Sequence, residues 1–260
     1  MHSKLQIAAA EVFGTAALVF IGAGSVVATV HLELGDKVNF GGAELLGIAF
    51  AFFFVITAMV YAIGRVSGCH INPAVTFGLA LTKRCPWSDV PLYWISQVVG
   101  GVIGALGIYA LFAGDPVASA AMSPALLGTG HVVGSNAVAV ANLGVGFGAE
   151  FLGTGLLMFT ILGIVDDKAP GMLAGLVIGG VVLAIIMLIG PLTSASLNPA
   201  RAFAPAIIDQ LFVAGGPRTA WGPFVLVYVV AGLAGSGLAA LFYDFLNKET
   251  ATQPAASSAS

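Results

Sequence analysis

The chain has 260 residues, of which 58% are hydrophobic and only 8% are charged. A soluble domain carries about 25% charged residues, so this composition excludes a soluble globular enzyme and a disordered protein. The net charge is −3 and no basic run is present, which excludes a nucleic-acid partner. Two cysteines exclude a disulfide scaffold, and 35 glycines without a collagen period are typical of closely packed membrane helices.

Six segments are long and apolar enough to cross a bilayer, because about 30 Å of hydrocarbon needs about 20 helical residues. In chain order they are Leu5–Val30, Leu45–Ile63, Val90–Ala113, Leu143–Val165, Met172–Gly190 and Trp221–Tyr243. The first contains one acid, Glu11, the fourth contains Glu150, and the others contain no charged residue. We therefore predict an all-α membrane protein with six transmembrane helices.

Two further apolar stretches, Pro73–Leu81 and Pro199–Ile208, are about ten residues long and too short to cross the membrane. Each lies between the second and third spans of its half of the chain. We predict that both are re-entrant half-helices, which enter the bilayer without crossing it.

An even number of spans places both termini on the same side of the membrane. Six basic residues fall on that side and three on the other: Lys4, Arg65, Lys83, Arg84, Lys168 and Lys248 against Lys37, Arg201 and Arg218. Basic residues are enriched in cytoplasmic loops. We therefore predict a multi-pass protein of the cytoplasmic membrane with both termini in the cytoplasm.

The two halves of the chain repeat each other. AEVFGTAALVF at Ala10–Phe20 matches AEFLGTGLLMF at Ala149–Phe159 in six of eleven positions, and INPAV at Ile71–Val75 matches LNPAR at Leu197–Arg201. Each half has three spans, an odd number, so the second half enters the membrane with opposite polarity. The half-helices, about 15 Å long each, are then predicted to meet tip to tip at the bilayer midplane.

These features predict a single domain over residues 1–247. The first repeat occupies about 5–113 and the second about 143–243. The remaining residues, 248–260, are small and polar, and we expect them to form a disordered cytoplasmic tail.

Two NPA boxes, in SGCHINPAV and SLNPARAF, each follow an upstream AExxGT sequence. This pattern resembles the aquaporin, or major intrinsic protein, family from Leu5 to Tyr243. One NPA tripeptide arises easily by chance, but two at equivalent repeat positions are specific. The resemblance implies a passive channel for water, and also for glycerol or other small uncharged solutes, that excludes protons and ions. It further implies a homotetramer in the lipid bilayer, with no enzyme activity, cofactor or metal.

The NPA boxes have a physical rationale. Asn is a favoured helix N-cap and Pro a favoured first helical residue, so each box starts a half-helix. The pore residues predicted on this basis are Asn72, Pro73, Ala74, Asn198, Pro199 and Ala200. Each helix N-terminus carries about +0.5 charge, and each Asn side chain offers N–H donors to water. Such a midplane orients water and repels protons and cations.

The selectivity filter is assigned by resemblance and by spacing from the two Asn residues. Its members are Phe52, Ile186, Ala195 and Arg201, and an intramembrane Arg is costly unless it is functional. Strictly water-selective members carry His in place of Ile186, whereas glycerol facilitators carry Trp, Gly and Phe in place of the first three. The set found here is most like the archaeal aquaporin M subgroup. Ile in place of His removes a donor and widens the filter.

Buried acids at Glu11 and Glu150 have two interpretations. Intramembrane carboxylates commonly mark proton or ion pathways. They also accept backbone N–H groups of re-entrant loops, which otherwise stay unsatisfied in a dry interior. Their symmetric positions favour this loop-bracing role. His70 is predicted to brace the same loop, the alternative being a pH sensor.

Cys69 lies three residues before Asn72, as Ala195 lies three residues before Asn198. Because Ala195 is assigned to the filter, the repeat symmetry predicts that Cys69 lines the cytoplasmic vestibule. Cys69 is therefore a candidate mercury site. The alternative is a small residue packed behind the loop, since free Cys is among the most buried types.

Three other functions remain open at this point. The first is a dedicated facilitator of glycerol or other small neutral solutes. The second is an ion-coupled secondary transporter built from inverted repeats, which would need charged residues at the midplane. The third is an intramembrane enzyme, but the spans contain no paired Asp, and Asp166 and Asp167 lie in a loop.

Overall fold

A computed structural model describes residues 2–36, 41–113, 143–212 and 219–248. Its secondary structure over these ranges is helical. Six helical segments among them are long and apolar enough to cross a membrane. The predicted fold class is thereby confirmed. The predicted tail apart from Lys248, and two of the basic residues counted for the orientation, Lys37 and Arg218, lie outside the described residues.

The α-helices follow one another in the predicted order. They are α1 (Lys4–Ala17), α2 (Gly24–Asp36), α3 (Gly42–Ser67), α4 (Pro73–Leu81), α5 (Val90–Phe112), α6 (Leu143–Ile164), α7 (Ala174–Thr193), α8 (Pro199–Phe212), α9 (Trp221–Phe224) and α10 (Ala231–Leu246). Two π-helical turns, Leu18–Ala23 and Val225–Val230, join α1 to α2 and α9 to α10. A 3-10 turn, Gly171–Leu173, leads into α7.

Several helices extend by a few residues beyond their predicted ends, such as α3, which ends at Ser67 rather than at Ile63. The first span continues to Asp36 rather than ending at Val30. The second half-helix ends at Phe212 rather than at Ile208. In both places no Pro or Gly follows directly on the predicted end, so nothing in the local sequence stops the helix.

The two repeats pack in equivalent ways. In the first repeat α1 packs against α5, and in the second α6 packs against α10. A β-carbon at Gly100 would overlap the carbonyl oxygen of Val12, and one at Gly235 would overlap that of Phe151. The glycines therefore let the paired backbones approach closely, as small residues do in membrane helix pairs.

The half-helices interlock the repeats. Half-helix α4 of the first repeat packs against α10 of the second, and α8 of the second packs against α5 of the first. The long helices α3 and α7 also pack against each other across the repeat boundary. Each half-helix is thus held by spans of the opposite repeat, which positions the two N-termini.

Candidate functional site

The N-termini of the two half-helices are tied to each other. Nδ2 of Asn72 donates a hydrogen bond to the carbonyl oxygen of Leu197 at 2.8 Å, and Nδ2 of Asn198 donates to that of Ile71 at 2.8 Å. The half-helices therefore meet tip to tip. An amide NH₂ has two donors, so each Asn keeps a second N–H beyond this bond.

The oxygen of each Asn caps its own half-helix. Oδ1 of Asn72 accepts a hydrogen bond from the N–H of Ala74 at 2.9 Å. Oδ1 of Asn198 accepts from the N–H groups of Ala200 at 3.0 Å and Arg201 at 3.2 Å. Since both oxygens are used in capping, the groups left for a solute are donors.

A cavity of about 480 Å³ passes both Asn side chains. At one end it is lined by Arg84, Asp166 and Asp167, and at the other by Phe52 and Arg201. Between the charged end and the Asn residues, its walls are largely aliphatic: Ile56, Val60, Val75, Leu157, Ile161 and Ile178. The cavity has the form of a pore with polar groups concentrated at its ends and its middle.

Three of the four predicted filter residues meet at one end of this cavity. Arg201 is only 1% exposed, and its Cζ lies 5.0 Å from the ring centroid of Phe52. Its Nη2 donates to the carbonyl oxygen of Ser194 at 3.4 Å, and Ala195 lines the same end. Ile186 is buried on α7 and is not among the residues that line the cavity. Its place in the filter stays a prediction.

Glu11 is buried behind the loop that precedes α4. Its Oε1 accepts hydrogen bonds from the N–H of His70 at 2.9 Å and the hydroxyl of Ser67 at 2.6 Å. Its Oε2 accepts from the N–H of Ile71 at 2.7 Å and from Nε2 of Gln97 at 2.9 Å. Four donors therefore surround a carboxylate that lies outside the cavity lining.

Glu150 repeats this arrangement in the second half. Its oxygens accept the N–H groups of Ser196 at 2.8 Å and Leu197 at 2.7 Å. Leu197 has φ 56° and its counterpart Ile71 has φ 42°, a left-handed conformation that is unfavourable for ordinary residues. The carboxylates thus stabilise backbone conformations that the two loops would not adopt alone.

Sequence reasoning did not single out Gln97, which donates to both Glu11 and Thr76. It is the only amide side chain in the third predicted span. A lone amide in an apolar span indicates a buried hydrogen-bond partner, so the sequence alone could have identified it. His70 also contacts Thr76, through Nδ1 at 3.1 Å, and its ring stacks on Tyr93 with centroids 4.3 Å apart. These contacts fix the His70 ring within the loop.

The two cysteines differ in access to the cavity. Cys69 lines it, whereas Cys85 lies in the turn after α4 and is 4% exposed. Burial, together with the nearby carboxylate of Asp89, raises the pKa of the Cys85 thiol.

Removing either buried acid should destabilise the protein, because its loop N–H groups lose their acceptor. We expect Glu11→Ala and Glu150→Ala to unfold at lower temperature, with a cost of about 1–3 kcal/mol for each unpaired group. The Gln variants keep an acceptor oxygen and should lie between the Ala variants and the unchanged protein. Thermal unfolding of the purified protein in detergent measures this, and an unchanged melting temperature in both Ala variants would contradict the bracing role.

The inverted three-span repeats, the two half-helices joined at their N-termini and the cavity that passes them define a membrane protein with a central pore. The family model described as Major intrinsic protein matches residues 1–243, and the chain belongs to this family.

Several curated relatives are similar over most of their length. The chain is 39% identical to aquaporin AqpM of Methanothermobacter thermautotrophicus, over 96% of this chain and 100% of the relative. It is 39% identical to the probable aquaporin AqpM of Archaeoglobus fulgidus, over 92% of this chain and 96% of the relative. It is 34% identical to aquaporin NIP1-1 of Oryza sativa subsp. japonica, over 93% of this chain and 74% of the relative. The predicted resemblance to archaeal aquaporins is confirmed.

A solved structure shares the fold. The X-ray structure of the aquaglyceroporin from Plasmodium falciparum superposes with a TM-score of 0.74 at 25% identity. The match covers 93% of this chain and 96% of that chain. The inverted-repeat architecture is therefore the one found in that aquaglyceroporin.

Proposed function

We propose that this chain is a passive channel for water and small uncharged solutes such as glycerol, and that it excludes protons and ions. The observation that carries the proposal is the pair of cross-tied amides, Asn72 and Asn198, in the wall of a continuous cavity. The family supports it, because the relatives are named aquaporins and the structural neighbour is an aquaglyceroporin. The chain is accordingly not an enzyme.

The midplane favours water over protons for an electrostatic reason. Each Asn retains an N–H that can donate to a passing water, while its oxygen is engaged in the helix cap. The two helix N-termini add about +0.5 charge each at this point. A water held there donates to its neighbours but cannot easily receive a proton from them, so proton transfer along the file is interrupted.

The filter supports a solute range wider than water. Phe52, Ala195 and Arg201 line the end of the cavity, and we place Ile186 beside them from its spacing. This set provides one strong donor group, Arg201, and three apolar surfaces. A small polyol can accept hydrogen bonds from Arg201 on one side and lay its carbon chain against the apolar side chains on the other.

We further propose that the channel lies in the cytoplasmic membrane with both termini, and the Arg84 end of the pore, in the cytoplasm. The basic residues counted above support this orientation. We also propose a homotetramer with one pore in each chain. Large apolar side chains such as Phe13, Phe54 and Leu188 are more than half exposed and suit contact with lipid or a neighbouring chain.

The function is tested in proteoliposomes by stopped-flow light scattering. We expect osmotic water flow to exceed that of protein-free vesicles with a low activation energy, and vesicles shrunk in glycerol to reswell. The vesicles should hold a pH gradient as long as protein-free vesicles do. A proton leak that increases with protein content would contradict the proposal, as would water flow equal to that of protein-free vesicles.

The same vesicles test the alternative that the protein is an ion-coupled secondary transporter. Such a protein needs a site for the coupling ion near the midplane, and intramembrane carboxylates are common proton sites. The buried acids Glu11 and Glu150 are instead occupied by backbone N–H groups, and neither lines the cavity. Glycerol should therefore equilibrate without accumulating when a proton or sodium gradient is imposed.

A further inference from the structure

Two buried tyrosines hold equivalent carbonyl groups in the two repeats. Oη of Tyr93 on α5 donates to the carbonyl oxygen of Ser67 at 2.6 Å, and Oη of Tyr228 donates to that of Thr193 at 3.1 Å. Ser67 is the last residue of α3 and Thr193 the last residue of α7, and the final carbonyls of a helix have no partner within it. Each tyrosine therefore fixes the point at which a span ends and the loop before an NPA box begins.

The peptide that joins Thr193 to Ser194 is held on both sides. Its carbonyl oxygen accepts the hydrogen bond from Tyr228, and its N–H donates to the carbonyl oxygen of Gly190 at 2.8 Å. Ser194 has φ 61° and Ala195 has φ 45°, a left-handed conformation that is unfavourable for residues other than glycine. The hydrogen bond from Tyr228 thus fixes the first peptide of a strained turn.

Of the two loops, the second carries the arginine of the filter. The carbonyl oxygen of Ser194 accepts a hydrogen bond from Nη2 of Arg201 at 3.4 Å, and Arg201 lies over the ring of Phe52. The residue equivalent to Arg201 in the first repeat is Val75, whose side chain has no donor. A shift of the peptide that Tyr228 holds therefore reaches Arg201 through the next carbonyl, and the first loop has no such connection.

Tyr228 meets the loop and not the solute. It is 1% exposed and is not among the residues that line the cavity. Its ring belongs to a buried cluster with Ala202 and Ala206 of α8, and its centroid lies 5.2 Å from that of Phe224. Packing holds the ring in place, so the hydroxyl is the part of this side chain that acts on the filter loop.

We propose that Tyr228 is a positioning residue that sets the selectivity of the channel, because it holds the Thr193 carbonyl and, through Ser194, the guanidinium of Arg201. Without the hydroxyl, the Thr193 carbonyl loses its donor and the turn at Ser194 relaxes. Arg201 then loses a fixed acceptor, and the opening beside it admits wider solutes. The inference rests on the proposed function as a channel for water and small uncharged solutes.

The measured quantity is the ratio of glycerol flow to water flow in proteoliposomes, after subtraction of the flow through protein-free vesicles. Both flows use the same pores, so a variant that folds less well loses both in proportion and keeps its ratio. We expect Tyr228→Phe to raise the ratio about threefold, since the bond is lost while Arg201 remains. Tyr228→4-aminophenylalanine restores an N–H donor in place of the hydroxyl and should return the ratio to that of the unchanged protein.

Tyr93→Phe is the matched control from the other repeat. It removes the same kind of hydrogen bond, at Ser67, from the loop without an arginine, and it keeps the ring that stacks on His70. Its ratio should equal that of the unchanged protein, whether or not both flows fall.

The route through Arg201 is tested in a combined variant. Tyr228→Phe added to Arg201→Val should leave the ratio of the Arg201→Val protein unchanged, because the group through which Tyr228 acts has been removed.

The outcomes separate this proposal from the proposed function. An unchanged or lower ratio in Tyr228→Phe overturns the role of Tyr228. An equal rise in Tyr93→Phe also overturns it, because loosening either loop would then be enough, and so does a further rise in the combined variant. Water flow in the unchanged protein that does not exceed that of protein-free vesicles overturns the proposed function instead.

Discussion

Water flow that mercuric chloride blocks in the unchanged protein is expected to become insensitive to mercury in Cys69→Ser. Cys69 is among the residues that line the cavity and lies three residues before Asn72. A mercury ion bound to that sulfur would obstruct a single file of water molecules. Serine has a similar size and lacks the soft sulfur ligand, so it should preserve flow and remove the block. Stopped-flow shrinkage before and after mercury treatment measures the effect.

Cys85→Ser is the matched control for this experiment. Cys85 is buried in the turn after α4 and does not line the cavity. Its variant should be blocked by mercury as completely as the unchanged protein. Block that persists in Cys69→Ser and disappears in Cys85→Ser would contradict the pore-facing position of Cys69.

Arg201→Val is expected to relax the discrimination of the filter. The guanidinium of Arg201 lies over the Phe52 ring and donates to the carbonyl oxygen of Ser194, so valine removes a charge, several donors and considerable volume. We expect glycerol flow to increase about tenfold, an effect of about 1.4 kcal/mol on the barrier. Alkali cations should also enter, since the positive charge that repels them is lost. Glycerol reswelling and cation-selective leak in proteoliposomes measure the two effects.

Arg201→Lys separates the contribution of charge from that of shape. Lysine keeps the positive charge but lacks the planar fork of donors. Cations should remain excluded in this variant while glycerol flow changes. Cation entry in Arg201→Lys, or unchanged glycerol flow in Arg201→Val, would contradict the filter assignment.

The fold was predictable because its determinants are local or repeated. Apolar runs of sufficient length predict the spans, and Asn-Pro at 72–73 and 198–199 predicts where the half-helices begin. The odd number of spans in each repeat then requires the inverted topology. The predicted end of the second half-helix was less accurate, because Asp209 and Gln210 resemble loop residues in composition but are compatible with a helix.

The candidate site was predictable in part. The acceptor role of Glu11 could be predicted because the backbone N–H groups of a buried loop require acceptors. Its partner Gln97 is 86 residues away, and no local sequence pattern connects the two. The contact between Tyr243 and Asp166 spans 77 residues and depends on how α10 and the loop after α6 are placed. Such contacts arise from packing between distant segments, which a single sequence does not specify.

The reciprocal amide ties between the half-helices have a consequence for biosynthesis. Asn72 needs the carbonyl oxygen of Leu197, which lies 125 residues later in the chain. A ribosome that has just released the first half-helix has not yet made its partner. The groups that hold the first loop, Glu11 and Gln97, precede the second repeat in the chain, so only the amide tie itself has to await the second NPA box.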